Sequence, residues 1–300
     1  MFVILDVLSH LFDASGQNSH LNFRRTNVIL VSSDAGNSLV LILFCYHGIY
    51  YSTKIWYNQG VKDENRVILI DKPAGMSSFG VVARVRRKLK DEFGHKVKVG
   101  HTGTLDPFAT GLLILLSGKF TKKSGEFLKL DKVYEATIKL GYISDTGDIE
   151  GKISPYIGFG AASGRPIAMG GRRLSSRCRA PESPQPKKVK SVLNTFIGEI
   201  EQTPPKFSAI KINGQRAYKL ARKGEDFEMP TRKVTIYNIE ILEYSYPLLK
   251  IRCHVSSGTY IRTLAEDIGR ALGTGAYCES LRRLKIGKYD VKDAEKLPEM

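Results

Sequence analysis

One carboxylate of this chain lies in a distinctive setting. Asp106 is part of the stretch Gly100-His101-Thr102-Gly103-Thr104-Leu105-Asp106-Pro107-Phe108-Ala109-Thr110-Gly111. Three glycines permit tight turns and close approach of other backbone, and Pro107 disfavours helical geometry at the residue before it. The pattern predicts a shaped loop that presents Asp106. An ordinary turn or helix cap would explain the same residues.

A second candidate is Arg262, in the stretch Ser256-Ser257-Gly258-Thr259-Tyr260-Ile261-Arg262-Thr263-Leu264-Ala265-Glu266-Asp267-Ile268-Gly269. Apolar residues at helical spacing predict a helix that begins near Thr259. A cation in the first turn opposes the helix dipole, so Arg262 should have an anion nearby. That anion is either Glu266, one turn along, or Asp106 from elsewhere in the chain. An arginine fork on Asp106 would orient the carboxylate and keep it ionised, as a nucleophile requires.

A third candidate is Tyr134, which lies in a run of alternating residues from 133 to 140. The alternation predicts a half-buried strand with Tyr134 on its apolar side. Alternation alone is compatible with an ordinary core tyrosine and with an aromatic side chain that stacks on a ligand.

The segment before the Asp106 loop has the pattern of a strand, a turn and a helix. Residues 67–70 predict a short strand, and the turn at 71–78 ends in serines suited to capping a helix. The helix has an apolar stripe that can pack and a basic face that can contact phosphates. The stripe consists of Val81, Val82, Val85 and Leu89, and the basic face of Arg84, Arg86, Arg87, Lys88 and Lys90.

The remaining pattern favours an α+β fold. Alternating runs at 234–242 and 249–255 predict two further strands. Several strands with long connections are typical of a mixed sheet, unlike the regular βαβ succession of a doubly wound fold.

Composition indicates a polyanionic partner. The 300 residues include 46 lysines and arginines against 30 aspartates and glutamates, a net charge of +16. Such an excess attracts nucleic acid through counterion release. A basic solubility coat or affinity for an anionic membrane surface would produce the same charge. A hydrophobic content of 42% excludes wholesale disorder.

The cysteines and the apolar runs argue against several other classes. Cys45, Cys178, Cys253 and Cys278 lack CxxC or His/Cys ligand spacing, so neither a zinc site nor a disulfide framework is predicted. A reducing, cytoplasmic setting follows. Apolar runs at 2–12 and 39–46 are too short to cross a bilayer of about 30 Å, so no membrane association is predicted. No basic residue precedes Arg24, which argues against a signal or transit peptide.

Two segments differ from the rest. Residues 1–65 are either a lineage-specific extension of unknown role or upstream sequence added to a protein that begins near Asn65. Residues 154–186 are rich in glycine, serine, proline and arginine and contain little that could pack. This composition predicts a disordered insertion or a long loop.

Five ordered strings resemble those of the TruB family of tRNA pseudouridine synthases, and the resemblance covers about 66–151 and 188–288. They are the Asp106 loop, Lys72-Pro73-Ala74-Gly75-Met76-Ser77-Ser78, Lys132-Val133-Tyr134-Glu135-Ala136, Gln202-Thr203-Pro204-Pro205-Lys206-Phe207-Ser208-Ala209-Ile210-Lys211 with Asn213-Gly214-Gln215-Arg216-Ala217-Tyr218, and Gly258-Thr259-Tyr260-Ile261-Arg262. The resemblance implies the pseudouridine synthase catalytic fold, with a largely antiparallel central sheet flanked by helices and loops. Its two parts would be residues 66–153 and 187–300.

The resemblance also implies a reaction. A uridine in the T-loop of tRNA, at the position 55 type of site, would be flipped out and isomerised without a metal or a cofactor. Asp106 would be the nucleophile, Tyr134 would stack on the base and accept a proton, and Arg262 would pair with Asp106. The substrate-binding residues would be His101, Tyr260, Lys72 and a leucine of Leu281-Arg282-Arg283-Leu284, with Leu284 preferred over Leu281.

The chain differs from the family in one respect, and two other functions are compatible with parts of its sequence. The chain continues for about a dozen residues after Lys288, so we expect no C-terminal PUA domain, no obligate protein partner and a monomer. A catalytically silent RNA-binding or RNA-folding protein on the same scaffold is an alternative, although binding alone needs no paired carboxylate. Ser117-Gly118-Lys119 weakly suggests a phosphate-binding loop, but Phe120 stands where that motif requires Ser or Thr.

Overall fold

The structure, a computed structural model, describes residues 63–157, 183–205, 207–208, 210–212 and 214–297, and the backbone of three strands nearer the N-terminus. The chain forms two units, 1–63 and 64–300. The first contains an antiparallel sheet of β1 (Val28–Asp34), β2 (Asn37–Tyr46) and β3 (Ile49–Tyr57). The apolar run at 39–46 lies in β2, and the run at 2–12 lies outside the described residues.

The second unit is built around a large sheet. Its strands and those of two small hairpins are β4 (Val67–Lys72), β5 (Val99–His101), β6 (Thr110–Ser117), β7 (Lys132–Leu140), β8 (Tyr142–Ser144), β9 (Ile153–Pro155), β10 (Gly198–Gln202), β11 (Lys211–Ile212), β12 (Gln215–Arg216), β13 (Arg232–Ser245), β14 (Leu248–Val255), β15 (Ala276–Ile286), β16 (Tyr289–Asp290) and β17 (Glu295–Lys296). Its α-helices are α1 (Ser78–Phe93), α2 (Ser124–Leu128), α3 (Pro186–Asn194), α4 (Ala217–Arg222) and α5 (Ile261–Leu272).

The strand order of the large sheet is β10-β13-β14-β7-β15-β6-β4-β17, with β16 beside β15 and β5 beside β6. Only the β15–β6 and β17–β4 ladders are parallel among the described residues. This confirms the predicted α+β fold with a mixed, largely antiparallel sheet.

Helix α1 has the N-terminal cap and the buried face that its sequence predicts. The hydroxyl of Ser77 accepts the N–H of Gly80 at 3.1 Å, and Gly94 ends the helix with a φ of +73°. The apolar stripe packs with Ile70 of β4 and Leu113 of β6 in one core. Each such fully buried side chain stabilises the fold by about 1.5–3 kcal/mol.

Helix α5 covers another part of the sheet. Leu264 and Ile268 are buried in a core with Ala136 of β7. Tyr134 belongs to the same core. The first turn of α5 is therefore held beside the strand that carries this predicted site residue.

Residues at the edges of the predicted insertion are part of the fold. Ser154 and Pro155 belong to β9, which pairs with β8, and Pro186 begins α3. Tyr156 donates its backbone N–H to the carbonyl of Gly141 at 2.9 Å. Residues 158–182, and with them most of the predicted insertion, lie outside the described residues.

Candidate active site

The Asp106 loop joins β5 to β6 and is tied to the start of α1. The hydroxyl of Ser78 donates to the carbonyl of Leu105 at 2.9 Å and accepts its N–H at 2.8 Å. The N–H of Gly75 donates to the carbonyl of Pro107 at 2.9 Å. Because the bonds flank Asp106 on both sides, its backbone position is defined by the turn and the helix cap.

The buried side chain of Lys72 also holds the backbone of the Asp106 loop. The ammonium of Lys72 donates to the carbonyls of Pro73, Met76 and Pro107 at 2.8, 2.7 and 3.0 Å. Burial lowers the pKa of Lys72 to about 8, and the nearby carboxylate of Asp106 opposes that effect. Its three N–H donors are thus all used on backbone.

A buried arginine supports the other half of the loop. Arg283 Nε donates to the carbonyl of Leu112 at 2.7 Å, Nη1 to Thr104 at 3.3 Å and Nη2 to Gly103 at 3.2 Å. Gly111 makes this approach possible, since a Cβ there would lie 2.3 Å from the carbonyl oxygen of Arg283 and the φ of +102° disfavours other residues. The close contact between β6 and β15 at Gly111 therefore lets Arg283 hold the backbone of the Asp106 loop in position.

Arg262 reaches Asp106 from the first turn of α5. Nη2 donates to Asp106 Oδ1 at 3.3 Å, and Nε lies 3.0 Å from Oδ2 as an ion-pair contact without hydrogen-bond alignment. Nη1 and Nη2 also donate to the carbonyls of Thr146 and Phe207 at 2.9 and 3.0 Å. Of the two anions that the sequence offered to Arg262, the guanidinium thus pairs with Asp106 and not with Glu266.

The charge on Asp106 is set by opposing effects. Burial raises the pKa of the Asp106 carboxyl above its ordinary value, while the guanidinium of Arg262 lowers it. The side chain nevertheless keeps 31% of its surface exposed. A carboxylate with one open face and a fixed partner is suited to attack an electrophile.

The exposed face of Asp106 opens into a cavity of about 520 Å³. Five predicted site residues line this cavity: Asp106, Tyr134, Arg262, His101 and Tyr260. Phe79, Lys132, Phe207, Arg216 and Leu281 also contribute to its walls. The walls combine apolar and aromatic surface with a few charged groups, which is typical of a small-molecule or nucleotide site.

Tyr134 and Tyr260 are held in different ways. Tyr134 is 8% exposed and lies opposite Cys253 of β14 and Arg283 of β15 in the ladders of β7. The side chain of Gln202 holds the backbone of Tyr260 with bonds of 2.7 Å to its N–H and 3.0 Å to its carbonyl. Tyr134 is therefore held within a strand, and the backbone of Tyr260 is held at the residue just before α5 by a side chain of β10.

His101 lies where β5 enters the cavity. Its Nδ1 accepts the N–H of Gly103 at 3.4 Å. Burial lowers the pKa of His101, and Arg283 and Arg216 lower it further. The lowered pKa favours the neutral imidazole, which can contact a base without adding charge.

Two residues predicted to bind substrate, Lys72 and Leu284, are not among those that line the cavity. Lys72 lies under the Asp106 loop, where its ammonium is saturated by carbonyls. Leu284 falls at a β-bulge between Arg283 and Lys285, which removes it from the alternation of β15. Leu281 lines the cavity in its place.

Sequence reasoning missed Asp148 and Arg283. Asp148 Oδ2 lies 3.1 Å from Arg262 Nη1, and its Oδ1 accepts bonds from the Thr146 hydroxyl and the Glu150 N–H. An acidic residue after Gly147 in a short loop was the available signal, but spacing alone does not connect it to Arg262. Arg283 carried no signal beyond its place in a basic run.

Within the described ranges, no group of three or more histidine, cysteine or acidic side chains could hold a metal ion. None of the described helices combines the length and the apolarity needed to cross a membrane.

Family models match most of the chain. The model of the TruB family pseudouridylate synthase N-terminal domain matches residues 86–159 and 170–261. The model of the tRNA pseudouridylate synthase B C-terminal domain matches residues 262–300.

Similar curated proteins are named tRNA pseudouridine synthase B. The protein from Endomicrobium trichonymphae is 40% identical over 237 residues, which are 79% of this chain and 91% of that protein. The protein from Aquifex aeolicus is 45% identical over 236 residues, or 77% of this chain and 72% of that protein.

A solved structure of a Cbf5-Nop10-Gar1 complex contains a similar chain. The TM-score is 0.52 with 27% sequence identity, and the match covers 78% of this chain. It covers 52% of the other chain, so the present chain spans about half its length.

Proposed function

The chain belongs to the TruB family of pseudouridylate synthases, and we propose that it isomerises uridine to pseudouridine in tRNA, in the T-loop at the position 55 type of site. The observation that carries the proposal is the Asp106–Arg262 pair in the wall of a cavity that also contains Tyr134. These residues have the chemical groups that the reaction needs, and they lie in one place.

The reaction rearranges a nucleoside without gain or loss of atoms. The C1′–N1 glycosidic bond breaks, the uracil turns, a C1′–C5 bond forms, and the proton on C5 moves to N1 through solvent or side chains. The carboxylate of Asp106 adds to C1′ of the ribose or to C6 of the base and is released when the new bond has formed. Because uridine and pseudouridine are isomers, the reaction needs no redox partner.

Arg262 orients the nucleophile. Its contacts to both oxygens of Asp106 hold the carboxylate plane in one direction. Its positive charge also offsets part of the cost of ionising Asp106 where burial raises the pKa. Both effects favour an attacking carboxylate over a protonated acid.

Tyr134 supplies an aromatic face and a phenol oxygen inside the cavity. The ring can stack on the uracil, and the oxygen can accept the proton that leaves C5. Extruding a base costs a few kcal/mol, which contacts in the cavity offset. A cavity of about 520 Å³ lies within the size range of sites for molecules as large as a nucleotide.

A catalytically silent RNA-binding protein is the weaker alternative. Burial of Arg262 between carboxylates costs desolvation free energy, and affinity for RNA requires only basic and aromatic surface. The proposal further includes a monomer that acts in the cytoplasm without a protein partner.

The direct test is formation of pseudouridine by the purified full-length chain. A T-arm stem-loop RNA is incubated with the enzyme, and pseudouridine is located by mass spectrometry after its chemical derivatisation. We expect one modified uridine in the loop. An Asp106→Asn variant should bind the RNA within a few-fold of wild type, because phosphate contacts dominate affinity, and should form no product.

The matched control is Asp145→Asn, which changes an exposed carboxylate in the loop that follows β8. It should retain wild-type activity. Product formation by Asp106→Asn at a rate near wild type would overturn the proposal, as would a wild-type enzyme that leaves tRNA unmodified.

A further inference from the structure

An exposed phenylalanine lies at the edge of the active-site cavity. Phe79, in the first turn of α1, lines the cavity although 66% of its surface is exposed. Its ring meets that of His101 edge-on, with centroids 5.9 Å apart and planes at 85°. Single exposed apolar residues are common and carry no meaning alone, so the surroundings of Phe79 decide its significance.

Phe79 begins an exposed stripe along α1. At 3.6 residues per turn, five exposed residues fall within about 100° of arc, on a path of about 16 Å. These residues, called the α1 stripe below, are Phe79, Ala83, Arg86, Arg87 and Lys90. The acidic residues of α1 are Asp91 and Glu92 at its end, and Glu92 pairs with Arg66 at 2.8 Å. The stripe therefore presents an aromatic ring followed by three cations, of which Arg86 also donates from Nη2 to the carbonyl of Val99 at 3.3 Å.

We propose that the α1 stripe is a docking surface for the RNA strand that adjoins the flipped nucleotide. Phe79 stacks on a base that remains outside the cavity, and Arg86, Arg87 and Lys90 contact phosphates of the same RNA. This inference rests on the proposed function, because RNA must place a uridine in the cavity for the stripe to meet its neighbours.

The chemistry of base flipping explains the position of the ring. When a nucleotide leaves its stack, the adjacent bases lose a stacking partner. An aromatic side chain can cover such a base whatever its sequence. Both rings line the cavity, but His101 is partly buried and Phe79 is largely exposed, so the two rings can serve the flipped nucleotide and its neighbour respectively.

A second exposed aromatic provides a matched control. Tyr237 on β13 is 51% exposed and also packs on a histidine, with its ring centroid 4.8 Å from that of His254. His254 contacts the carboxylate of Asp131, however, and Tyr237 is not part of the cavity wall. Tyr237 is thus another exposed aromatic ring against a histidine, with ring planes at 49° instead of 85°, and it lies outside the cavity wall.

The stacking part is tested with Phe79→Ala, Phe79→Trp and Tyr237→Ala in the full-length chain. Affinity for a fluorescent T-arm stem-loop RNA is measured by anisotropy, and modification by single-turnover kinetics. Phe79→Ala should weaken binding about tenfold, the loss typical of one stacked base. Phe79→Trp should restore affinity because it restores the stacking face, and Tyr237→Ala should bind like wild type. Thermal melts report folding for each variant.

The phosphate part is tested by salt dependence. Arg86→Gln with Lys90→Gln should reduce the slope of log affinity against log salt by about 0.7–0.9 for each lost phosphate contact. Arg270→Gln is the control, since Arg270 is an exposed cation in the last turn of α5 that pairs with Asp267 at 2.7 Å. Its slope should equal that of wild type.

The outcomes separate this inference from the proposed function. If wild type makes pseudouridine and Phe79→Ala binds RNA as Tyr237→Ala does, the stripe is not a docking surface. If the slope of log affinity against log salt is unchanged in the variant with Arg86→Gln and Lys90→Gln, these two side chains do not contact phosphates. If wild type binds RNA through Phe79 but makes no pseudouridine, the docking surface stands and the proposed function fails.

Discussion

Arg262 and Asp148 form an ion pair that is almost completely removed from solvent. Nη1 of Arg262 lies 3.1 Å from Oδ2 of Asp148, and 4% and 5% of the two side chains are exposed. This contact uses a different nitrogen from those that face Asp106. The guanidinium therefore keeps a counter-charge when the carboxylate of Asp106 engages a substrate.

Loss of the charge at Asp148 should lower both stability and turnover. Asp148→Asn leaves the buried guanidinium with Asp106 as its remaining carboxylate, and removal of one partner from a buried pair costs about 3–5 kcal/mol. We expect a drop of that order in the unfolding free energy by urea titration, and at least a tenfold fall in single-turnover rate. Asp145→Asn, in the same loop, should change neither. A fully active and stable Asp148→Asn enzyme would show that Asp106 alone fixes Arg262.

Lys72 should act through the position of the Asp106 loop. Lys72→Met removes the donor to the carbonyls of Pro73, Met76 and Pro107, at up to about 1–3 kcal/mol each, although the Pro107 carbonyl keeps its bond from the N–H of Gly75. Turnover should fall, while affinity for T-arm RNA should stay near wild type. Anisotropy and single-turnover assays measure the two separately. Weakened binding with normal turnover would instead restore the sequence-based assignment of Lys72 to substrate binding.

The hydroxyl of Tyr134 should matter for chemistry and not for affinity. Tyr134→Phe keeps the aromatic ring and removes the phenol oxygen, which we propose accepts the proton from C5. We expect a rate loss of about 100-fold or more, the usual contribution of a general base. Tyr260→Phe is the comparison, because it removes a hydroxyl from another wall of the same cavity. Near-normal turnover by Tyr134→Phe would make Tyr134 a packing residue.

Glu266 should give the stability of the protein a distinct pH dependence. Burial, with a smaller contribution from the charge of Asp267, raises the pKa of Glu266 from its ordinary value of 4.5 to about 7. The folded state then binds more protons than the unfolded state between these values, so this residue lowers stability as pH rises from about 4.5 to 7. Glu266→Gln should remove that loss. Its melting temperature relative to wild type should increase across this window and level off above it; a constant difference would contradict the shift.

Local pattern sufficed for the elements around the site. The apolar stripe of α1, the alternation of β7 and the helix after Gly258 all appear where side-chain periodicity predicts them. Periodicity works here because each element buries one face against a single sheet. The Asp106 loop was equally visible, since its glycines and Pro107 restrict the backbone by themselves.

Several side-chain positions depended on contacts between distant segments. Arg283 supports Gly103, which is 180 residues away in the sequence, and Asp148 reaches Arg262 from the loop that follows β8. Leu284 had the right residue type for the cavity, but Leu281 lies there because it pairs with Ala136, which shares one face of β7 with Tyr134. Directly paired residues of neighbouring strands lie on the same face of a sheet.

Local properties of the chain thus identify the candidate residues, whereas long-range packing decides which of them interact. Residue types and short-range spacing identified Asp106, Tyr134 and Arg262 as candidates, because backbone restriction, burial period and helix polarity are local properties. Which charges share Arg262, and whether Lys72 meets substrate or backbone, followed from how β6, β15 and α5 pack together. Those interactions are long-range, and their free energies depend on burial and on distances that exist only after the sheet has assembled.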